Sequence, residues 1–330
     1  MNILVTGATG FVGSRVMEHL SSNNKVTLIA AIRKNKTFFQ HDIKTITLDD
    51  LGPNNLWGSL LNNVDVVIHA AARVHIMKDS ASDPLLEFRR VNVEGTLNLA
   101  RQAAKAGVER FVFISSIKVN GESTPLNKPF TENHRPSPVG PYGVSKFETE
   151  EGLFHLAHET GMEVVCIRPV LVYGPGVTAN FASMLKWLSK SIPLPFGAIS
   201  NQRSLVALDN LASFICLCAD REKAPKAANQ VFLISDDEDV STTQLLRKVG
   251  RAFDHHADSD IKARLMPVPV FLMSFVAKLL GKGAVANRLF GSLQVDSSKA
   301  RDLLGWKPVT TMDEQLKKTV DAYLENEKTL

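Results

Sequence analysis

The chain has 330 residues, 44% of them hydrophobic and 22% charged, with a formal net charge of +4. That length buries enough apolar surface to fold as two average domains or one large α/β unit without disulfides or a structural metal, and the composition excludes a disordered or fibrous chain. The small excess of positive charge is scattered rather than striped, which argues against a nucleic-acid partner and suits an anionic small molecule.

The chain opens in a β-branched run, MNILVTG, with no basic n-region or cleavage site, so export is not expected and the cytoplasm is the expected compartment. Strands are expected at Asn2–Thr6, Lys25–Ile32, Ile43–Leu48, Val64–Ala70, Arg110–Ser115 and Glu163–Arg168. Between them, Val12, Val16 and Leu20 recur at helical spacing, as do Val93, Leu97 and Ala100. Strands alternating with helices predict an α/β fold, a doubly wound parallel sheet of Rossmann type with crossover helices.

The regularity loosens after Tyr173-Gly174-Pro175-Gly176, and a smaller, mainly helical substrate region is expected to begin there. The expected division is a dinucleotide-binding domain over 1–175, with a return at about 205–238, and a substrate region over 176–204 and 239–330. Asn229–Ile234 reads as a returning strand, and Ser241 or Thr242 as the cap of a helix in Asp239–Phe253. Asp296 is expected to cap Ser297–Leu304 ahead of Gly305, and Thr311-Met312-Asp313-Glu314 reads as a capping box opening the last helix. The longest apolar stretch, Val268–Leu280, is broken by Pro269 and Lys278 and is too short to span a bilayer. A core or interface helix is the expectation there, with a helix lying on a membrane surface as the alternative.

Thr6-Gly7-Ala8-Thr9-Gly10-Phe11-Val12-Gly13 follows a strand and opens a helix, the context that a dinucleotide phosphate site requires. Gly7 permits the tight turn, Gly10 the approach of the pyrophosphate and Gly13 close helix packing. Thr9, Phe11 and Val12 complete the residues expected there, and the helix N-terminus supplies N–H groups and a positive dipole end. The second strand, where an acidic residue ordinarily holds the ribose of NAD, ends instead in Ile32-Arg33-Lys34. Arg33 beside a 2′-phosphate makes NADP(H) the expected cofactor and NAD(H) the alternative. Asp49 is a candidate for the adenine edge. Ala70, Ala71 and Ala72, after His69, are small enough to let the cofactor pass.

Tyr142-Gly143-Val144-Ser145-Lys146 sets a phenol and an ammonium one helical turn apart. A tyrosine with a pKa near 10 is a weak base at neutral pH, and a neighbouring cation is expected to favour its phenolate. Ser116, closing Phe111-Val112-Phe113-Ile114-Ser115-Ser116, offers a hydroxyl to the reacting oxygen. Glycine turn, strand-end serine and Tyr–Lys pair fall in the order that hydride transfer to or from a substrate carbon needs. His155 and His158 share a helix face without a third ligand, and His255-His256 sits in a charged segment. Cys166, Cys216 and Cys218 lie in apolar surroundings suited to reduced thiols. No metal site is expected.

Together TGATGFVG, HAAA, VNVEGT, FISS, PYGVSK, IRPVLVYGPG, RSLVALDN and DSSKARDLLGW run nearly the length of the chain, and on them it resembles the extended short-chain dehydrogenase/reductase family of nucleotide-sugar epimerases, dehydratases and ketoreductases. The resemblance implies Tyr142 as proton donor or acceptor, Lys146 as its partner and Ser116 as the orienting hydroxyl. It also implies Asn180 and Arg203 at the substrate diphosphate, a UDP-sugar or similar substrate and a homodimer. A helix N-cap is the structural alternative for Asn180. The family's 4,6-dehydratases carry an Asp-Glu pair after the catalytic hydroxyl, where this chain has Ile117-Lys118, so dehydration is not expected. The segments AARVHIM, SIKVNGE and GSLQVDSSKA are most similar to ketoreductases that make UDP-N-acetylquinovosamine, which gives reduction of a UDP-4-keto-6-deoxy-hexosamine as the expected reaction. A UDP-hexose 4-epimerase acting on glucose or N-acetylglucosamine is the first alternative. A non-catalytic NADP-sensing protein is the second. A polyprenyl-linked sugar enters as substrate if Val268–Leu280 meets a membrane.

Overall fold

A computed structural model describes residues 1–33, 43–48, 50–74, 83–254, 263–281 and 283–328. In chain order the first half comprises β1 (Asn2–Thr6), α1 (Phe11–Ser21), β2 (Thr27–Arg33), β3 (Lys44–Leu48), β4 (Val66–His69), α2 (Pro84–Phe88), α3 (Thr96–Lys105), β5 (Arg110–Ile114), α4 (Gly140–Thr160) and β6 (Glu163–Pro169). The second half comprises β7 (Leu171–Tyr173), α5 (Ala179–Ser189), β8 (Arg203–Ala207), α6 (Leu208–Ala219), β9 (Gln230–Ile234), β10 (Asp239–Val240), α7 (Thr242–Asp254), α8 (Val270–Leu279), α9 (Gly283–Phe290), α10 (Ser298–Leu304) and α11 (Met312–Lys328).

Seven parallel strands form the main sheet in the order β3-β2-β1-β4-β5-β6-β9. Alternate side chains on each strand enter opposite layers, as the period of two demands. Ile3, Val5, Val66, Ile68, Val112, Ile114, Val165 and Ile167 pack with Val16, Met17 and Leu20 of α1 and with Leu211, Phe214 and Ile215 of α6. Leu4, Val67, Phe111, Phe113, Val164 and Cys166 pack on the other face with Leu99 and Ala103 of α3 and Leu153 and Leu156 of α4. The sheet is therefore doubly wound, as expected, and the carboxyl ends of β1, β4 and β5 all open on one edge.

Several elements depart from the sequence reading. The apolar run at Ser204–Leu208 does not join the main sheet on the way back. As β8 it pairs with β7 and β10 in a separate three-stranded sheet, while α6 packs on the main sheet and β9 joins it beside β6. Val93 is not on a regular α-helix with Leu97 and Ala100, because Arg89–Gly95 forms a wider π turn ahead of α3. That turn brings the amide of buried Asn92 against Ser145 Oγ, at 3.1 Å, and against the main chain of Arg73.

The capping signals translate directly into geometry. Ser241 Oγ accepts the Gln244 N–H at 3.0 Å while Gln244 Oε1 accepts the Ser241 N–H at 2.7 Å, a reciprocal cap on α7. Thr311 and Glu314 do the same for α11. Asp296 accepts the Ser298 N–H at 2.9 Å, although α10 starts one residue later than expected, and Gly305 closes it at φ +66°.

The stretch expected to be a core or interface helix is not part of the core. None of the residues of α8 is buried. No helix among the described residues is long and apolar enough to cross a membrane. The three thiols are free, with Cys166 and Cys218 buried.

Candidate active site

The glycine turn sits between β1 and α1, where the chain must reverse within a few residues. Gly7 has φ +70°, and a Cβ there would lie 2.8 Å from the Ala71 nitrogen, so β4 crosses directly behind the turn. A Cβ on Gly13 would come within 2.1 Å of the Gly7 carbonyl oxygen, which is why the first turn of α1 can press against the loop. The Gly10 N–H closes the turn onto that same oxygen at 2.8 Å. No side chain caps α1, whose first residues are Phe11, Val12 and Gly13, and Thr9 and Gly10 are exposed. This is a cradle of uncapped N–H groups at the positive end of a helix, and it fits a dinucleotide pyrophosphate.

Around it the expected residues fall into place unevenly. Ala70, Ala71 and Ala72 follow β4 beside the turn, Ala71 behind Gly7. Under them His69 is buried, its Nδ1 2.7 Å from Thr6 Oγ1 and its Nε2 2.9 Å from Thr96 Oγ1. Burial pushes its pKa down to about 3, so the ring is neutral and ties β1 to α3. Arg33 is the exposed last residue of β2. Lys34, Asp49, His255 and His256 lie outside the described residues.

Ser116 leaves β5 in extended backbone, φ −161°, and its Oγ accepts the Lys118 N–H at 3.2 Å. Tyr142 and Lys146 come from the first turns of α4, which Pro141 opens. The Tyr142 hydroxyl hydrogen-bonds Ser116, and the Tyr142 ring meets Phe88 edge-on at 6.1 Å. Lys146 Nζ lies 5.8 Å from the centre of the Tyr142 ring, 4.4 Å from that of Phe113, and donates to the Ile114 carbonyl at 2.7 Å. Serine, tyrosine and lysine are thus gathered at the carboxyl end of β5, on the sheet edge where the β1 glycine turn also opens.

Their electrostatics correct one expectation. The phenol is not drawn toward phenolate: burial pushes Tyr142 up to about 12, and only the Ser116 hydrogen bond pulls the other way. Burial likewise pushes Lys146 down to about 7, against the charge of Glu150. Desolvation outweighs the attraction because the ammonium is turned to a carbonyl and an aromatic face rather than to the phenol oxygen.

Beneath this group lies a buried network that the sequence reading missed. Ser115 donates to Glu150, and Arg168 Nε donates to the same carboxylate at 2.9 and 3.1 Å. Arg168 Nη1 continues to Asn120 Oδ1 at 2.9 Å. The signal available was Glu150 four residues beyond Lys146 on one face of α4, together with the arginine of IRP in β6.

The two residues expected at the diphosphate are placed differently from each other. Asn180 is exposed in the first turn of α5 and does not cap it, since the cap position belongs to Thr178. Arg203 opens β8, and its Nη1 donates to the carbonyls of Arg288 and Gly291 at 2.8 and 3.0 Å. Ile117 is buried and Lys118 pairs with Glu122 at 3.2 Å, so neither position offers a carboxylate beside Ser116. His155 pairs with Glu159 on the exposed face of α4, and no group that could hold a metal occurs among the described residues.

Residues 3–234 match the model of the NAD dependent epimerase/dehydratase family. A Vibrio cholerae protein named UDP-glucose 4-epimerase is 45% identical over 325 residues, covering 98% of this chain and 96% of its own. The fold is shared with the UDP-glucuronic acid 4-epimerase of Bacillus cereus in complex with NAD, at a TM-score of 0.76, 20% identity and 99% coverage of both chains. It is shared as well with the UDP-glucose 4-epimerase of Thermotoga maritima with UDP-glucose, at a TM-score of 0.74 and 23% identity, over 99% of this chain and 100% of that one.

Proposed function

The chain belongs to the NAD-dependent epimerase/dehydratase family, and from that premise we propose that it inverts the configuration at C4 of a UDP-hexose. The observation that carries this reading is the meeting of Ser116, Tyr142 and Lys146 beside the glycine turn, with no carboxylate at 117 or 118 to assist elimination. A nicotinamide dinucleotide held on Gly7, Gly10 and Gly13 supplies reversible hydride acceptance. Tyr142 exchanges the proton of the C4 oxygen, and Ser116 fixes that oxygen by a hydrogen bond. Because its pKa lies near 12, Tyr142 rests as the neutral phenol and is ready to donate. Oxidation of the C4 alcohol comes first and needs Tyr142 as the phenolate to take the hydroxyl proton, a form that the Lys146 ammonium favours when charged, and the phenol so formed returns that proton when the hydride comes back. Arg203 and Asn180 bind the diphosphate. Support for the arginine comes from its position, with its described partners being carbonyls on Nη1 alone.

A second reading, reduction of a UDP-4-keto-6-deoxy-hexosamine of the N-acetylquinovosamine type, is favoured by Arg33. An exposed cation ending β2, where a carboxylate would hold the ribose of NAD, suits the 2′-phosphate of NADP(H). Two incubations separate the readings. The purified protein is given UDP-glucose or UDP-N-acetylglucosamine without added cofactor, and separately the 4-keto-6-deoxy sugar nucleotide with NADPH. Formation of the C4 epimer in the first supports epimerisation. Stoichiometric loss of the nicotinamide absorbance in the second, with no epimer in the first, overturns it in favour of the reductase.

A further inference from the structure

Helix α8 presents an apolar face that the described chain leaves uncovered. Phe271, Leu272, Phe275, Val276 and Leu279 recur at one, four, five and eight residues, a single stripe, and are 77, 46, 59, 47 and 72% exposed. Leu280 extends it past the helix end. A contiguous patch of this kind marks a contact with a partner or a membrane rather than ordinary surface.

The two stretches that carry the exposed apolar residues hold charges of one sign. The stretch 263–295, which contains α8 and α9, has no aspartate or glutamate, and neither has 164–208, which contains α5. The two stretches are stitched together where Leu194 pairs with Leu265, the Leu194 N–H reaching the Arg264 carbonyl at 2.8 Å and the Gly197 N–H the Met266 carbonyl at 2.9 Å. Exposed Lys186, Lys190, Arg264 and Lys278 lie on these two stretches together with exposed Trp187, Ile192 and Met266. Arg288 pairs with Glu122 at 3.6 Å and is not counted among them.

We propose that this face seats α8 on the surface of an anionic phospholipid bilayer, with its apolar stripe in the acyl boundary and the lysines and arginine at the headgroups. A helix with an apolar stripe and flanking cations is the arrangement that interfacial binding requires, and anionic lipid adds attraction for each cation close to the surface. A second copy of the chain is the poorer occupant. A two-fold contact brings the same patch against itself, and here that would bring cations toward cations. The proposal stands independently of which sugar nucleotide the active site takes.

The test is sedimentation of the full chain with vesicles of phosphatidylcholine alone and of phosphatidylcholine mixed with phosphatidylglycerol. Partition onto the mixed vesicles should be at least about tenfold greater and should fall as salt is raised. Trp187 reports the same event, since Trp57 and Trp306 are buried: its emission should shift to the blue with mixed vesicles and the shift should vanish in Trp187→Phe. The variant Phe271→Ser/Phe275→Ser/Leu279→Ser should lose the binding while keeping its thermal midpoint, and Lys278→Glu should weaken it separately. Failure of the wild type to pellet with mixed vesicles, or equal pelleting of the triple variant, overturns the proposal. So does an oligomer in sedimentation velocity that the triple variant dissolves while vesicles capture neither protein.

Discussion

Ser115 and Glu150 are bonded to each other beneath the site, so the two adjacent serines divide their work: Ser116 meets the Tyr142 hydroxyl while Ser115 holds the carboxylate one turn beyond Lys146. Glu150 in turn pairs with Arg168 at 2.5 Å, both side chains being almost completely buried. Breaking one side of such a pair strands a buried charge. Glu150→Gln is expected to lower the unfolding free energy by about 3–5 kcal/mol, read by urea titration. Glu150→Leu combined with Arg168→Met should recover most of that loss, and no recovery would mean that the network does more than balance charge.

Lys146 should weaken the fold that it serves. Burial holds its folded pKa at about 7, below its ordinary 10.5. Between those values the folded chain binds fewer protons than the unfolded one, so this residue's effect is to make stability rise with pH across the window. Lys146→Met should therefore melt higher than wild type at pH 7, with the two curves converging toward pH 10.5, and should lose turnover. A lower melting temperature at pH 7 would show that the contacts with the Ile114 carbonyl and the Phe113 ring outweigh desolvation.

The packing of α1 against its turn leaves no room for a side chain at Gly13. Gly13→Ala must push the helix off the Gly7 carbonyl, with a destabilisation of about 1–3 kcal/mol and a loss of nicotinamide-dinucleotide binding. Calorimetric titration with the cofactor checks this. Unchanged affinity would remove the turn from the cofactor site.

Arg33 decides between the cofactors if the reductase reading holds. Arg33→Asp should change the NADP(H) to NAD(H) preference by at least about tenfold toward NAD(H), the value of one charge-assisted phosphate contact. Measurement of kcat/KM with each cofactor reads the ratio. An unchanged ratio would leave Arg33 as a solvent-facing end of β2.

Local signals in the sequence carried furthest. The β1 turn, the Thr311–Glu314 box and Gly305 each act within a few residues, where side-chain chemistry determines backbone geometry, and the structure has them as expected. Ser116, Tyr142 and Lys146 were legible because strand end and helix start are both marked locally. What escaped was non-local. The pairing of β8 with three-residue β7 and with β10, and the Ser115–Glu150–Arg168 chain, depend on contacts between distant segments, of which the sequence offers only the place of Glu150 four residues beyond Lys146. The apolar run of α8 reads equally as a core or an interface helix because composition records hydrophobicity and not what covers it. The raised pKa of Tyr142 is hidden for a similar reason, since the adjacency of Lys146 is visible in sequence and the burial that opposes it is not.

The most direct test is turnover of Tyr142→Phe against wild type, on whichever sugar nucleotide the wild type converts. Removal of one hydroxyl leaves the ring against Phe88, so the variant should fold and bind cofactor like the wild type. Its kcat should fall by about 10²–10⁴-fold, the usual contribution of a positioned proton donor. Turnover equal to wild type would contradict every assignment of chemistry to the Ser116, Tyr142 and Lys146 group.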